Sequence, residues 1–515
     1  MNKIFKWGMA GILASGWLTA GAQTINPMTE AVMRNYAEIL AENPKDYMTL
    51  YDRASQYLAL GELDRALSDI DMALEFTPEK DKDYRIAEYS LKSDILTAKK
   101  DYKGALDVAG EALKLDPTSQ SLLYKTGNLF LILENPEGAL KAFQTLQREN
   151  TRSQEAFYGM AKAYVMSGNN EEAEKLIKEV ESLGKQSFLT YCRIGDLYSD
   201  MGNLKNAVTN YTIAYTMDET SDRPLESLKV LMSKNSQTVL STINDMIESK
   251  PDNISLNYLK AILAFDAGAY QDAEKSCEEI AKNLDGESAA VYRMTAMSQL
   301  AQNKIDAARE SIRKAEAISP GDSGVLLDKA AIYMSSDAAV SYEAARNALN
   351  LMPGNEVALM TAAKAAIKAG QYKDAQNYLN EAIMSNPSNG EALLVRGYLN
   401  QEYLKDGKGS VADYTRAGNI HTDGKVKSMV ASALGKSYSN KKLDAEGIIN
   451  EAVAKAGNNK DDLYFIGVYY AQTGNLEKAK EYIDKAVANG YGNLYNLYTN
   501  EEPVFNIKPI RHLLK

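Results

Sequence analysis

The stretch LYFIGVYYAQTGNLEKAKEYIDKA, Leu463–Ala486, carries the pattern that organises the whole chain. Its marker residues are Leu463, Ile466, Gly467, Tyr470, Gly474, Ala479, Ile483 and Ala486. The same offsets return at Tyr191, Ile194, Gly195, Tyr198, Gly202, Ala207, Tyr211 and Ala214. They return again at Phe157, Met160, Ala161, Tyr164, Gly168, Ala173, Ile177 and Val180. Recurrence at a period of about 34 residues signals a stack of like supersecondary units rather than one globular core.

Each marker has a physical reading. Large apolar residues three and four apart place a stripe on one helix face. A small residue stands in many copies where a neighbouring helix must come close: Ala54, Gly127, Ala161, Gly195, Ala261, Ala296, Ala363, Gly435 and Gly467. A second small set follows in most copies: Ala66, Ala105, Ala139, Ala173, Ala207, Ala273, Ala308, Ala375 and Ala479. Between the two sets lie Gly61, Gly168, Gly202, Gly268, Gly370 and Gly474, suited to the left-handed backbone that ends a helix. Pro78, Pro117, Pro251, Pro320, Pro353 and Pro387 close several copies, since proline cannot continue a helix. Each unit therefore reads helix, tight turn, helix, stop.

This arrangement resembles the tetratricopeptide repeat, whose signature runs W-x-x-L-G-x-x-Y, then A-x-x-x-F, then P. The resemblance implies an all-α fold, a right-handed α-solenoid of about thirteen stacked helix-turn-helix units with capping helices at both ends. The chain departs from the signature in places. Leu50, Leu123, Phe157, Tyr191, Leu359 or Leu463 replaces its Trp, and Lys100 stands where the second unit wants a turn Gly. The expected organisation is a signal peptide over 1–22, a capping helix over 23–45 and units 1–5 over 46–219. A divergent unit over 220–252, units 7–13 over 253–490 and a terminal cap over 491–515 complete it. The divergent unit lacks the small residues, and the eleventh contains the irregular stretch KDGKGS at 405–410. These two are the expected places for a kink.

The first residues, MNKIFKWGMAGILASGWLTAGAQ, place Lys3 and Lys6 before an apolar run and end on Ala20-Gly21-Ala22. That is the layout of a secretory signal cleaved after Ala22. The mature protein is expected in the periplasm or outside the cell, with the short signal resembling those of the Bacteroidota. No Cys lies near the cleavage point, which argues against a lipoprotein anchor. Removing two lysines leaves 58 − 2 = 56 basic residues against 69 acidic, a net charge of −13. Such a balance argues against nucleic acid as a partner, and the membrane is expected to be met only through partners. The two cysteines, Cys192 and Cys277, fall two repeats apart, beyond disulfide reach of about 7 Å, and read as free packing residues.

No catalytic constellation emerges. The two histidines, His421 and His512, lack a second ligand at helical spacing, and no G-x-S-x-G, P-loop or C-x-x-C occurs. Neither an enzyme nor a cofactor nor a metal site is expected. In the family that the chain resembles, first helices line a concave groove. Offsets from the small position put Tyr51, Tyr124, Tyr158, Tyr258 and Tyr464 on that wall, with Ser55, Asn128, Lys162, Asp196, Lys364 and Lys436 beside them. Tyrosine offers a rigid ring with a polar tip, asparagine an amide, lysine a charge. The resulting expectation is a non-enzymatic scaffold that grips a protein or peptide segment. The alternative is a carbohydrate or envelope-polymer binder that uses the same tyrosines as stacking platforms.

Overall fold

The computed structural model describes residues 27–489, apart from 185, 285, 335 and 421–424. The expected signal peptide, the terminal cap over 491–515 and both histidines lie outside the described residues. Among the described residues the chain is all helix and turn, with no strand. One helix, Pro27–Glu42, precedes a train of antiparallel pairs. Twelve pairs are separate, and Asp222–Ser249 bends at Asn235 to make the thirteenth. Repeat 1 joins Tyr47–Ala59 to Leu63–Phe76, and repeat 3 joins Gln120–Ile132 to Pro136–Glu149. Repeat 4 joins Gln154–Met166 to Asn170–Ser182, and repeat 5 joins Phe188–Asp200 to Leu204–Met217. The described chain falls into two compact bodies, residues 27–246 and 247–489.

The small residues sit at the helix contacts. Ala66, Ala105, Ala139, Ala173, Ala207, Ala273, Ala308, Ala375 and Ala479 are all 0% exposed. Three glycines of the first set, Gly127, Gly195 and Gly467, answer to one large side chain on the second helix of their own repeat. A Cβ on Gly195 would stand 2.7 Å from the Tyr211 ring, and one on Gly467 would stand 2.7 Å from Ile483 Cδ1. Phe143 is held from both sides. A Cβ on Gly127, in its own repeat, would lie 2.5 Å from Phe143 Cζ, and one on Gly159, in the next, 2.4 Å away. A ring so enclosed transmits the packing of repeat 3 into repeat 4.

Turns and caps follow the residue types. Gly61, Gly168, Gly202, Gly268, Gly370 and Gly474 all have φ between 73° and 85°. Lys100, Glu134, Asn303 and Asn440 take the same left-handed conformation at the turns of repeats 2, 3, 8 and 12, with φ between 55° and 66°. Short polar residues receive the open backbone amides at many helix starts. Asn135 Oδ1 accepts from Gly138 N at 2.9 Å, Ser153 Oγ from Ala156 N at 3.1 Å, and Asn389 Oδ1 from Ala392 N at 2.8 Å.

The irregular units resolve into local events. In repeat 6, Asn235 (φ −160°, ψ 86°) leaves the helix and its Oδ1 accepts from Thr238 N at 2.9 Å, so one residue ends one helix and caps the next. In repeat 11 the disturbance lies ahead of the KDGKGS stretch. Asn400–Leu404 forms a π turn, which takes up one extra residue. The left-handed turn residue is then Lys405 (φ 58°), and Tyr414 still packs over Gly397. Repeat 12 corrects the sequence register. Asn440 marks its turn, so Ala433, 0% exposed, is its small residue, paired with Ala445 and Ile449. Gly435 instead faces the preceding helix, where a Cβ would come within 3.0 Å of Thr415 Oγ1. Gly435 mimicked the motif because two small residues stand two apart on that helix.

Candidate functional site

The first helices of repeats 3–5 bring five of the eleven expected wall residues, Tyr124, Asn128, Tyr158, Lys162 and Asp196, together within one body. Tyr124 and Asn128 in repeat 3 and Tyr158 and Lys162 in repeat 4 are half-buried, each pair one helical turn apart. Ile132, 50% exposed, and Met166, 39% exposed, continue the same faces into the last turn. The Tyr124 ring meets Phe143 edge-on, with centroids 6.3 Å apart, so the enclosed core ring also orients a wall tyrosine. Tyr51 and Ser55 occupy the corresponding half-buried places in repeat 1.

Repeats 5 and 6 add Arg193 and Arg223, which the sequence reading missed, beside the expected Asp196. The Arg193 guanidinium lies over the Tyr158 ring, 5.4 Å from its centroid. Asp196 accepts a hydrogen bond from Tyr211 Oη at 2.7 Å and pairs with Arg223 at 2.7 Å. Burial, with the Asp196 carboxylate nearby, pushes the Tyr158 phenol up to about 12. Burial also raises the Asp200 carboxyl, against the pull of the Lys162 ammonium. The wall thus carries aromatic edge, amide, ammonium and carboxylate in one continuous stretch. Burial raises the Cys192 thiol above its ordinary value. The missed residues had a weak signal: Arg193 and Arg223 fall on successive repeats, but charged residues are frequent on every helix face.

Three expected wall residues are corrected. Tyr258 is 5% exposed and belongs to a core cluster with Val291 and Met294 of the next repeat. Lys364 is 4% exposed and pairs with Glu391 of the next repeat at 2.7 Å. Tyr464 is fully buried. Tyr258 and Lys364 lean toward the following first helix, so their exposure is set by what that helix carries. Lys436 is half-buried, but the shifted register of repeat 12 removes it from the expected row.

Cys277 is buried and free, and burial pushes its thiol up to about 12. Cys192 is likewise buried and free. Among the described residues no group of three or more His, Cys, Asp or Glu side chains is placed to hold a metal ion. No described helix is long and apolar enough to cross a membrane.

Family comparison agrees with the periodicity. Profiles described as tetratricopeptide repeat match residues 130–187 and 336–396, 256–323, and 189–221 and 463–488. The chain is a tetratricopeptide-repeat protein. This repeat protein is 21% identical over 212 residues to anaphase-promoting complex subunit 3 of Schizosaccharomyces pombe. That match takes in 41% of the chain and 32% of the relative. It is 35% identical over 94 residues to Hsp70-Hsp90 organizing protein 3 of Arabidopsis thaliana, covering 18% of the chain and 16% of that relative. The chain thus spans about a third or less of these curated relatives. Among solved structures, yeast Tom70 is 14% identical with a TM-score of 0.38, over 91% of this chain and 96% of that one.

Proposed function

We propose that this tetratricopeptide-repeat protein is a non-enzymatic scaffold that holds a segment of another protein along the first helices of repeats 3–6. The observation that carries the reading is the clustering of Tyr124, Asn128, Tyr158 and Lys162 with Arg193, Asp196 and Arg223 in one body. Amide and charged groups at fixed spacing suit the backbone and side chains of a polypeptide, and Ile132 and Met166 supply apolar contact. Relatives named as organizers of chaperones and as a complex subunit support a protein partner. The carbohydrate alternative loses support, because Tyr258 and Tyr464 are buried and Arg193 already covers a face of Tyr158.

The test is photo-cross-linking in the producing cell from a reactive residue placed at Tyr124 or Lys162, with Ile318, 37% exposed on another helix, as the control site. The scaffold reading expects discrete polypeptide adducts from the first two sites only. Equal adduct patterns from all three sites would contradict it. Export to the periplasm belongs to the same proposal and rests on the sequence of residues 1–22. N-terminal sequencing of the mature protein should begin at Gln23.

A further inference from the structure

A second surface, away from that wall, lies where repeat 4 meets repeat 5. The second helix of repeat 4 stops at Ser182, thirteen residues long, whereas those of repeats 3 and 5 have fourteen. Gly184 turns the chain with φ +116°, and Gln186 folds back to donate from Nε2 to Val180 O at 2.7 Å. Beside this early stop opens a cavity of about 420 Å³. Its lining includes Glu181, Tyr191, Tyr198, Asn206 and Asn210.

In three other repeats the equivalent place is filled by the protein's own cation. Tyr198 is the last tyrosine of the first-helix pattern. In repeat 1 the same tyrosine, Tyr57, has Arg65 over its ring at 5.7 Å. In repeat 13 Tyr470 has Lys478 at 5.0 Å, and in repeat 9 Tyr333 has Arg309 of the preceding repeat at 5.5 Å. In repeat 5 both sources are replaced. Asn206 stands at the place of Arg65 and Lys478, and Glu174 stands at the place of Arg309. No described cation covers Tyr198.

The polar groups around the cavity are correspondingly unspent. The Tyr198 and Tyr191 hydroxyls, the Asn206 side-chain amide and the Glu181 carboxylate make no hydrogen bond to another described residue. Asn210 Nδ2 donates to Asn206 O at 2.9 Å, which leaves Asn210 Oδ1 open. The open acceptors outnumber the donors, and the carboxylates of Glu174 and Glu181 both bear on Tyr198. Such a site suits a planar cation with many N–H donors.

We propose that this cavity binds a guanidinium group, the side chain of an arginine presented by a partner protein, in the place where repeats 1, 9 and 13 put their own cation. The surface would give the scaffold a second contact, independent of the first-helix wall.

Calorimetric titration of the full chain tests it with three probes: N-acetyl-arginine amide, the same arginine within a short neutral peptide, and N-acetyl-citrulline amide, its uncharged isostere. Saturable binding of the arginine probes but not of citrulline is expected. Tighter binding of the peptide assigns the source to a protein, and equal binding assigns the same site to a free guanidine. Asn206→Lys restores the internal cation of repeat 13 and should weaken binding by about tenfold or more. Tyr198→Phe, which keeps the ring, should weaken it less than Glu181→Gln does. Circular dichroism and melting of each variant establish that the fold persists. Absence of saturable arginine binding, citrulline binding of equal strength, or binding unchanged in folded Asn206→Lys would overturn the proposal.

Discussion

At the scale of single residues, burial decides both stability and chemistry. Glu88 is 0% exposed and its Oε2 has no hydrogen-bond partner. Its Oε1 meets Thr77 Oγ1, a hydroxyl that also donates to Ala73 O at 2.8 Å. One hydroxyl proton serves one acceptor, so the pair is satisfied when Glu88 carries a proton of its own. Burial raises its carboxyl above the ordinary range, although Thr77 and Arg85 pull the other way. A raised carboxyl pKa makes the folded state hold its proton longer than the unfolded chain does. The stability it contributes is therefore full below the unfolded carboxylate range and is lost as pH rises through the raised, folded-state value. Glu88→Gln should raise the melting temperature at neutral pH, and the difference should vanish in acid, where both states are protonated. A melting series across pH checks this, and a pH-independent difference would contradict it. Overpacking gives the second residue-scale test. Gly159→Ala puts a methyl group against the enclosed Phe143 ring and should cost about 1–3 kcal/mol in denaturant unfolding. Gly110→Ala, with nothing within 4 Å of its added Cβ, should cost nothing and gain helix propensity.

At the scale of the helix pair, the turn is the sensitive element. Lys100 and Glu134 hold left-handed backbone, φ 63° and 55°, that costs an L-residue about 1–2 kcal/mol. Replacing either by glycine should stabilise the protein by about 0.5–1 kcal/mol, because glycine's greater freedom in the unfolded chain offsets part of the gain. Unfolding in urea measures it, and destabilisation by Lys100→Gly would contradict the turn assignment. The helix pair was also the scale that the sequence conveyed best. A small residue on the first helix and another on the second must face each other, so their spacing is rigid and recurs. Repeat 12 misled the register because Ala433 and Gly435 both qualify as small, and only the left-handed Asn440 separates them. The π turn in repeat 11 had no marker beyond a one-residue shift in spacing, from Gly397 to Tyr414. The candidate wall was less legible for a related reason. Whether Tyr158 offers a ring face depends on Arg193, and whether Lys364 is free depends on Glu391, each a residue of the following repeat. A pattern read within one unit does not contain its neighbour.

At the scale of the whole molecule, stability accumulates from contacts between successive units, so protection against exchange should follow the units. Each of the two bodies carries its own buried clusters, such as the one joining Leu50, Ala66 and Ile95 and the one joining Leu359, Leu379 and Leu393. The most direct measurement is hydrogen–deuterium exchange of the full chain, resolved by peptide mass. The account predicts protected stretches in pairs, interrupted at the turns of Gly61, Gly168, Gly202 and Gly370 and at Asn235. Protection that runs unbroken through those turns, or its absence from the helices on either side of them, would contradict the tandem helix-pair fold.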